Sequence, residues 1–194
     1  RRVDDIVDGD WLPEGDLNHL NSLTEKHCQE LLGQRTFNPL YSKEEHFIRL
    51  RALLSFRENL DLIEAGVKMT DPIFMALADT LNRYPIEIVH LRELINGMED
   101  DLFETTYEHF EDLRHYCYRA ASTVGLCLIE IYGYSDPNAR RHAVEMGIFL
   151  QLVNVLRDVQ EDLSRNRIYI PSEELAKFGI SQDDLNDPTL ARTN

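Results

Sequence analysis

The chain has 194 residues, of which 43% are hydrophobic and 28% are charged, and its formal net charge is −15. This length suits one domain with a sizeable core. The acidic balance argues against nucleic-acid binding and against electrostatic docking on anionic lipid, because both need clustered Lys and Arg. The three cysteines form no CxxC and no even disulfide framework, which favours a reduced, cytosolic compartment.

Helical periodicity runs through nearly the whole chain, without the alternating pattern of a β-strand. Short loops between the predicted helices favour one all-α domain over residues 1–194. In chain order we predict the end of a helix before Gly9, helices over 16–32, 42–65, 70–85, 86–103, 109–132 and 136–165, and two short serine-capped pieces in 171–179 and 181–185.

Local signals support several of these boundaries. Ser42 can cap a helix that carries Glu44 and Glu45 in its first turn. Pro72 suits a first helical position, and Gly9 is typical of a C-terminal stop. The opening residues read as though a helix were already running, so we expect a piece trimmed at both ends.

A stripe of amide and carboxylate groups interrupts the apolar part of the predicted helix 136–165. Asn154, Asp158 and Asp162 are four residues apart and share one helix face, with Gln151 at its border. The flanking residues are mostly apolar, which predicts a buried helix. Burying a carboxylate without a partner costs free energy or shifts its pKa, so something must compensate the stripe. The alternative for its last members is a solvated acidic edge.

A second pair of carboxylates lies at the start of the chain. Asp4 and Asp8 are also four residues apart, about 6 Å along a helix axis. Oxygen ligands of this kind favour Mg²⁺ or Mn²⁺, and the absence of HxxxH and HExxH spacings argues against zinc. Arg157, Arg165 and Arg167 would complete a phosphate site. Ordinary surface ion pairing is the alternative for these arginines.

The predicted helix 109–132 supplies a third candidate surface. Ala121 and Gly125 place small residues on one face, where a long thin ligand or another backbone could approach closely. Tight helix packing is the alternative. Tyr116 lies just before this surface and either reaches a substrate or is a core tyrosine with a bonded hydroxyl.

These stretches together resemble the squalene/phytoene synthase family of head-to-head trans-isoprenyl diphosphate synthases. The resemblance is carried by RRVDDIVDG, LINGMEDDL, YCYRAASTVG and QLVNVLRDVQEDLSRNRIYIP, and it runs from Arg1 to about Leu185. It implies a single helical bundle of the isoprenoid synthase type around a central apolar cavity, with two aspartate-rich motifs facing each other across its mouth.

The resemblance also implies roles for the two aspartate pairs. Asp4 and Asp8 would bind Mg²⁺ for one diphosphate. Asn154, Asp158 and Asp162 would bind Mg²⁺ for the other. The four aspartates would therefore count as catalytic residues, and Mn²⁺ is an alternative metal.

Further roles follow from the same resemblance for residues that would contact the substrate. Arg1 and Arg157 match arginines that bind diphosphate, and Tyr116 matches a catalytic tyrosine near the reacting carbons. The positions that would line the prenyl pocket are Gln151, Ala120, Ala121, Val124 and Gly125.

The implied reaction is a Mg²⁺-dependent head-to-head condensation of two prenyl diphosphates in triterpenoid or carotenoid biosynthesis. Farnesyl diphosphate, giving presqualene diphosphate or squalene, is favoured over geranylgeranyl diphosphate, giving phytoene. Use of NADPH is left open. A catalytically inactive relative that acts as a binding or assembly factor is an alternative, against which the retention of all four aspartates counts. A plain helical scaffold is a third, which the polar stripe disfavours.

Two departures from the family pattern stand out. We expect that the helix before the first motif and the helices after Leu185 are missing from this piece, and residues 38–67 look longer than in typical bacterial members. We expect prenyl diphosphates as partners, no nucleic acid, and a monomer or weak dimer. The expected location is cytoplasmic, with peripheral membrane contact for product release as an open alternative.

Overall fold

The computed structural model describes residues 2–13, 15–33, 35–103 and 105–186, so Arg1 lies outside the described residues. In the first half of the chain, the described residues form five α-helices, with a short 3₁₀ turn before the second. Their bounds are α1 Arg2–Asp8, α2 Asn21–Leu32, α3 Lys43–Glu64, α4 Pro72–Arg83 and α5 Ile88–Asp100.

The second half continues the helical architecture and adds one very small sheet. Its elements are β1 Thr105–Thr106, α6 Phe110–Cys117, a π-helical turn Tyr118–Ser122, α7 Thr123–Tyr132, α8 Ala139–Arg157, α9 Val159–Ser164, β2 Arg167–Ile168 and α10 Ser172–Ala176, followed by a 3₁₀ turn Asp183–Asn186. The two strands pair in parallel, with Thr105 opposite Arg167. The all-α prediction is therefore confirmed apart from this two-residue ladder.

Helix α3 accounts for the unusual segment 38–67. A capping box starts it: the Ser42 hydroxyl accepts from the Glu45 amide at 3.2 Å, and the Glu45 carboxylate accepts from the Ser42 amide at 2.7 Å. Leu50 and Leu53 are fully buried and belong to the main core. This core packs α3 against α1, α4 and α5, so the segment is central to the fold.

A second, smaller core supports the elements that follow. Its buried members include Leu113 and Cys117 of α6, Ile148 and Val155 of α8, and Tyr169 after β2. Other apolar residues of α8 lie at the surface, with 58% of Phe149 and 69% of Leu156 exposed. The prediction of a helix buried around most of its girth is therefore wrong for α8, because no described element packs over that side.

Two further boundaries differ from the prediction. The predicted helix 136–165 is interrupted at Asp158, which has φ −101° and ψ 14° and separates α8 from α9. Ser172 lies inside α10 and does not cap it, since Pro171 holds the N-cap position. Ser181 does act as predicted, because its hydroxyl accepts from the Asp184 amide at 3.2 Å.

No helix in the described part of the chain is both long and apolar enough to cross a membrane.

Gly147 allows α8 to approach the π-helical turn very closely. A Cβ added at Gly147 would lie 2.5 Å from the Cα of Ser122, too close for either backbone to stay in place. We expect Gly147→Ala to destabilise the protein by about 1–3 kcal/mol through overpacking. Urea unfolding measures this change. Gly33→Ala is the control, because its added Cβ would meet backbone no nearer than 3.4 Å; equal effects of the two substitutions would contradict the expectation.

Candidate active site

A cavity of about 370 Å³ opens between α1, α5, the π-helical turn and the α8–α9 junction. Both predicted acidic groups line it, although about 150 residues separate them in sequence. The carboxylates and amide that share this cavity are those of Asp4, Asp8, Asn154, Asp158 and Asp162. The fold thus brings together the two groups that the sequence singled out.

Part of the predicted substrate surface also lines the cavity. Tyr116, Ala120, Val124 and Gln151 contribute to its wall. Apolar side chains of α5 lie beside them, including Met98. The cavity therefore joins a charged region to an apolar region.

Three other predicted residues lie elsewhere. Ala121 and Gly125 are not among the described residues that line the cavity. A Cβ added at Gly125 would lie 3.3 Å from the backbone oxygen of Ala143, so this glycine packs α7 against α8. Arg157 projects outward, with 65% of its side chain exposed, and forms an ion pair with Asp158. The small size of Gly125 therefore serves a helix contact, and its role in lining the prenyl pocket stays a prediction.

The polar stripe survives the interruption of its helix. The Asp158 amide donates to the Asn154 carbonyl at 2.9 Å, and the Asp162 amide donates to the Asp158 carbonyl at 2.9 Å. These i→i−4 bonds span the junction of α8 and α9 and preserve the helical spacing. The three side chains consequently stay on the side of the chain that lines the cavity.

The two carboxylates of the second acidic group differ in their surroundings. The Arg157 guanidinium donates to Asp158 at 2.6 Å and holds the pKa of that carboxyl below its usual range. Burial raises the pKa of Asp162 to about 6, although Arg167 opposes the shift. Of these two carboxylates, half-buried Asp162 therefore gains more from a cation that would compensate its charge.

Asp8 connects the two acidic groups through two arginines, in an arrangement we call the Asp8 bridge (Asp8, Arg165 and Arg167). Arg165 donates to one carboxylate oxygen at 2.9 Å and Arg167 donates to the other at 3.1 Å. Arg165 also pairs with Glu161 at 3.0 Å, so the predicted surface ion pairing exists alongside the bridge. Both arginines line the cavity, where their guanidinium groups face the acidic residues.

Arg167 has unused hydrogen-bonding capacity. Only 5% of its side chain is exposed. Its Nε and Nη2 atoms are buried and have no hydrogen-bond partner within the described residues. Burial opposes its charge, but Asp101, Tyr169 and Asp8 together raise the pKa of its guanidinium above the ordinary value. A permanently charged group with unused donors in a cavity is suited to an anionic ligand.

Sequence reasoning missed Asp101 and Tyr169, which form a polar cluster with Tyr116. The Tyr169 hydroxyl donates to one oxygen of Asp101 at 2.7 Å, and the Tyr116 hydroxyl lies 3.0 Å from the other. All three side chains line the cavity. Asp101 lies in LINGMEDDL and Tyr169 in RIYIP, two stretches that carried the family resemblance. Nothing in the spacing of these two residues distinguished them from their neighbours.

Asn38 links the segment before α3 to the cavity wall. Its side-chain amide donates to the Arg165 carbonyl at 2.8 Å, and its backbone amide donates to the Leu102 carbonyl at 3.0 Å. His46 in turn bonds the Asn38 carbonyl at 2.9 Å. Segment 38–67 therefore also supports the stretch after α9 that carries the arginines of the Asp8 bridge.

The donors of this cavity suit a hard divalent cation that shares its shell with phosphate. They are carboxylate and amide oxygens, the ligands that Mg²⁺ prefers. In the part of the chain that the structure describes, no group of three or more His, Cys, Asp or Glu side chains forms a metal cage by itself. Half-buried Asp162 and the unpartnered Arg167 atoms nevertheless offer places for a cation and for an anion.

Comparison with solved structures supports the same architecture. The fold superimposes on the squalene synthase HpnC from Alicyclobacillus acidocaldarius with a TM-score of 0.66 and 34% sequence identity. The match covers 71% of this chain and 52% of that structure. The prediction of an isoprenoid synthase fold is thereby confirmed.

Sequence comparison gives the same grouping. A 15-cis-phytoene synthase from Synechococcus elongatus is 42% identical over 143 residues, which covers 68% of this chain and 46% of the relative. A phytoene synthase from Mycobacterium tuberculosis is 32% identical over 180 residues, covering 93% of this chain and 48% of the relative. The chain thus spans about half the length of these relatives. Because the squalene/phytoene synthase profile also matches residues 1–193, the chain belongs to the squalene/phytoene synthase family.

Proposed function

We propose that this chain provides the catalytic cavity for the head-to-head condensation of two prenyl diphosphates. One observation carries the proposal: two acidic groups from distant parts of the chain share a cavity with Arg165, Arg167 and an apolar wall. Such a cavity suits a substrate with a diphosphate at one end and a long hydrocarbon chain at the other. It also gives the polar stripe a function that neither a scaffold nor a solvated edge would require.

The acidic residues would hold Mg²⁺ between the protein and the diphosphates. Asp4 and Asp8 are proposed as ligands on one side, and Asn154, Asp158 and Asp162 as ligands on the other. When bound, Mg²⁺ would supply Lewis-acid stabilisation of the leaving diphosphate. Oxygen-only donors distributed over α1 and the α8–α9 segment fit a metal whose remaining ligands come from phosphate.

The arginines would bind the diphosphate directly. Arg167 has buried donors available, and Arg165 lies in the same cavity wall. A guanidinium matches phosphate oxygens with two parallel hydrogen bonds, and its charge stabilises the departing group. Arg1 and Arg157 stay candidates from the family resemblance; Arg157 would have to leave its pair with Asp158 to take part.

The apolar wall would hold the prenyl chain and keep water from the reacting carbons. Met98, Leu94 and Val155 line this part of the cavity, together with Ala120 and Val124. Exclusion of water strengthens the electrostatic interactions of the site. It also protects an allylic cation from capture by water. We assign Tyr116 to the boundary between the apolar wall and the charged region.

Geranylgeranyl diphosphate, giving phytoene, is at least as well supported as the farnesyl diphosphate that the sequence favoured. The support comes from the names of the curated relatives, which are phytoene synthases. Farnesyl diphosphate is the second candidate, since the solved structure with 34% identity is a squalene synthase.

Product analysis tests the proposal. The purified protein is incubated with Mg²⁺ and radiolabelled farnesyl or geranylgeranyl diphosphate, and the condensed hydrocarbon is identified by mass spectrometry. We expect a head-to-head product from at least one substrate, and its loss when EDTA removes the metal. Tight binding of a prenyl thiodiphosphate without any product would instead support the inactive binding-factor alternative.

Substitutions at two neighbouring positions of α7 should distinguish a residue that lines the cavity from one that packs α7 against α8. We expect Gly125→Leu to lower activity with geranyl, farnesyl and geranylgeranyl diphosphates in the same proportion, because it forces α7 away from Ala143. The accompanying loss of stability should be about 1–3 kcal/mol. Val124→Phe is the matched comparison, since Val124 lines the cavity. It should impair the longest substrate most, as measured by kcat/KM. If Gly125→Leu impaired the longest substrate most, we would assign Gly125 to the cavity wall.

A further inference from the structure

The carboxylate of Asp101 is enclosed between two phenols. It is only 4% exposed, although it lines the cavity wall. Each of its oxygens has a tyrosine hydroxyl partner, Tyr169 at 2.7 Å and Tyr116 at 3.0 Å. The two rings stack with their centroids 5.0 Å apart, which restricts the directions in which the hydroxyls can point.

The charge state of Asp101 determines the direction of these hydrogen bonds. Burial raises the pKa of Asp101 to about 6, while Arg167, Tyr169 and Tyr116 limit the rise. The two phenol donors at 2.7 and 3.0 Å and the Arg167 guanidinium favour the ionised carboxylate. An ionised carboxylate is an acceptor only, so both phenols must donate their single proton to it. The Tyr116 and Tyr169 hydroxyls are also 3.3 Å apart, but the charged oxygen is the stronger acceptor.

The orientation of the protons leaves the oxygen lone pairs for the cavity. A hydroxyl has one proton and two lone pairs, and here the proton of each phenol is directed at Asp101. Tyr116 and Tyr169 consequently present electron-rich oxygen to the cavity. Such groups stabilise positive charge that develops next to them, and they cost no reorganisation when the charge appears.

We propose that Asp101 is a positioning residue for the condensation: it holds the Tyr116 and Tyr169 hydroxyls with their lone pairs toward the prenyl carbons, where positive charge develops as diphosphate leaves. This inference rests on the proposed function. Asp101 acts through the two phenols, and Arg167 balances its charge on the side of the Asp8 bridge.

The hydrogen-bond arrangement is tested without any turnover. Carbon-13 at the tyrosine Cζ position reports on the hydrogen bonding of each phenol by NMR. We expect Asp101→Asn to shift the Tyr116 and Tyr169 resonances and to leave that of Tyr107 nearly unchanged. Tyr107 is the internal control, because its ring packs on both others while no hydrogen bond in the described part of the chain joins it to Asp101. Unshifted Tyr116 and Tyr169 resonances would overturn the proposal.

Kinetics test the functional consequence. We expect Asp101→Asn to lower kcat at least tenfold, while the Kd for a prenyl thiodiphosphate with Mg²⁺ changes less than about twofold. Combining it with Tyr116→Phe should cost little beyond the larger single effect, because both substitutions disable the same device. Independent, additive losses or a wild-type kcat would contradict the inference. If the unmodified protein makes no product at all, the proposed function fails, while the NMR result still decides whether Asp101 orients the phenols.

If Asp101→Asn fails to fold, its thermal transition will be lost. Variants of the two tyrosines then test the proposal. Tyr116→Phe and Tyr169→Phe remove one hydroxyl each and retain the stacked rings. Both variants should keep a cooperative thermal transition and an unchanged Kd but lower kcat at least tenfold, whereas Tyr107→Phe should retain wild-type kcat. Wild-type turnover in Tyr116→Phe or Tyr169→Phe would overturn the proposal.

Discussion

Asp158→Asn and Asp4→Asn are each expected to abolish turnover and leave the fold intact. Each substitution removes a proposed metal ligand, so the charge on the departing diphosphate would be less well compensated. Removing one electrostatic contact to a transition state costs about 10²- to 10³-fold in kcat, and loss of a metal ligand should cost at least as much. Product formation by each variant, measured at saturating Mg²⁺, checks the expectation.

The fold should tolerate these changes because asparagine has nearly the same shape as aspartate. Asp158 lies at the junction of α8 and α9, where its backbone amide keeps its bond to Asn154 whatever its side chain. Asp79→Asn is the matched control, since Asp79 pairs with Arg83 on the exposed side of α4. Wild-type product formation by either Asp158→Asn or Asp4→Asn would refute the assignment of that residue as a metal ligand.

Local chemistry made most of the helices predictable. Ser42 with Glu45, and Pro72 after Asp71, act through hydrogen bonds and dihedral limits within a few residues, and the structure places both as expected. Gly9 ends α1 with φ 85°, a conformation that glycine adopts easily. The interruption at Asp158 left no such signal, because the i→i−4 spacing of the polar stripe is the same in a continuous helix.

Tertiary contacts determined the parts of the site that the sequence could not reveal. Asp100 and Asp101 are adjacent and chemically identical, yet Asp100 pairs with Arg35 and Arg119 whereas Asp101 meets two phenols. Their separate environments arise where α5 ends and the chain turns. The small size of Gly125 similarly predicted a close approach, but only the packing of α7 on α8 identifies Ala143 as its neighbour.

Mg²⁺ added together with a non-hydrolysable prenyl thiodiphosphate is expected to stabilise the protein. Mg²⁺ added alone is expected to stabilise it hardly at all. The Asp8 bridge is the reason. Arg165 and Arg167 occupy the two oxygens of Asp8 at 2.9 and 3.1 Å, so a cation approaching Asp8 would meet two positive charges. A diphosphate would attract both arginines and thereby release Asp8 for the metal.

Thermal unfolding measures this coupling. At a hundredfold excess over Kd, a ligand that binds the folded state adds about 2.7 kcal/mol. For a chain of this size each kcal/mol raises Tm by roughly 2–4 °C, so the combined ligands should raise it by roughly 5–11 °C. Mg²⁺ alone should shift Tm by less than about 1 °C, which corresponds to less than one kcal/mol in the free energy of unfolding.

Arg165→Gln distinguishes the bridge from a general repulsion among the acidic groups. It removes one of the two positive charges that contact Asp8 and retains the other, Arg167, whose side chain is buried. Mg²⁺ alone should then bind more tightly than to the unmodified protein, while the thiodiphosphate binds more weakly, so the two ligands depend less on each other. Arg83→Gln, an exposed change on α4, should leave both affinities unchanged. Strong stabilisation of the unmodified protein by Mg²⁺ alone would show instead that the carboxylates form a metal site without the diphosphate, and that the arginines of the bridge do not control it.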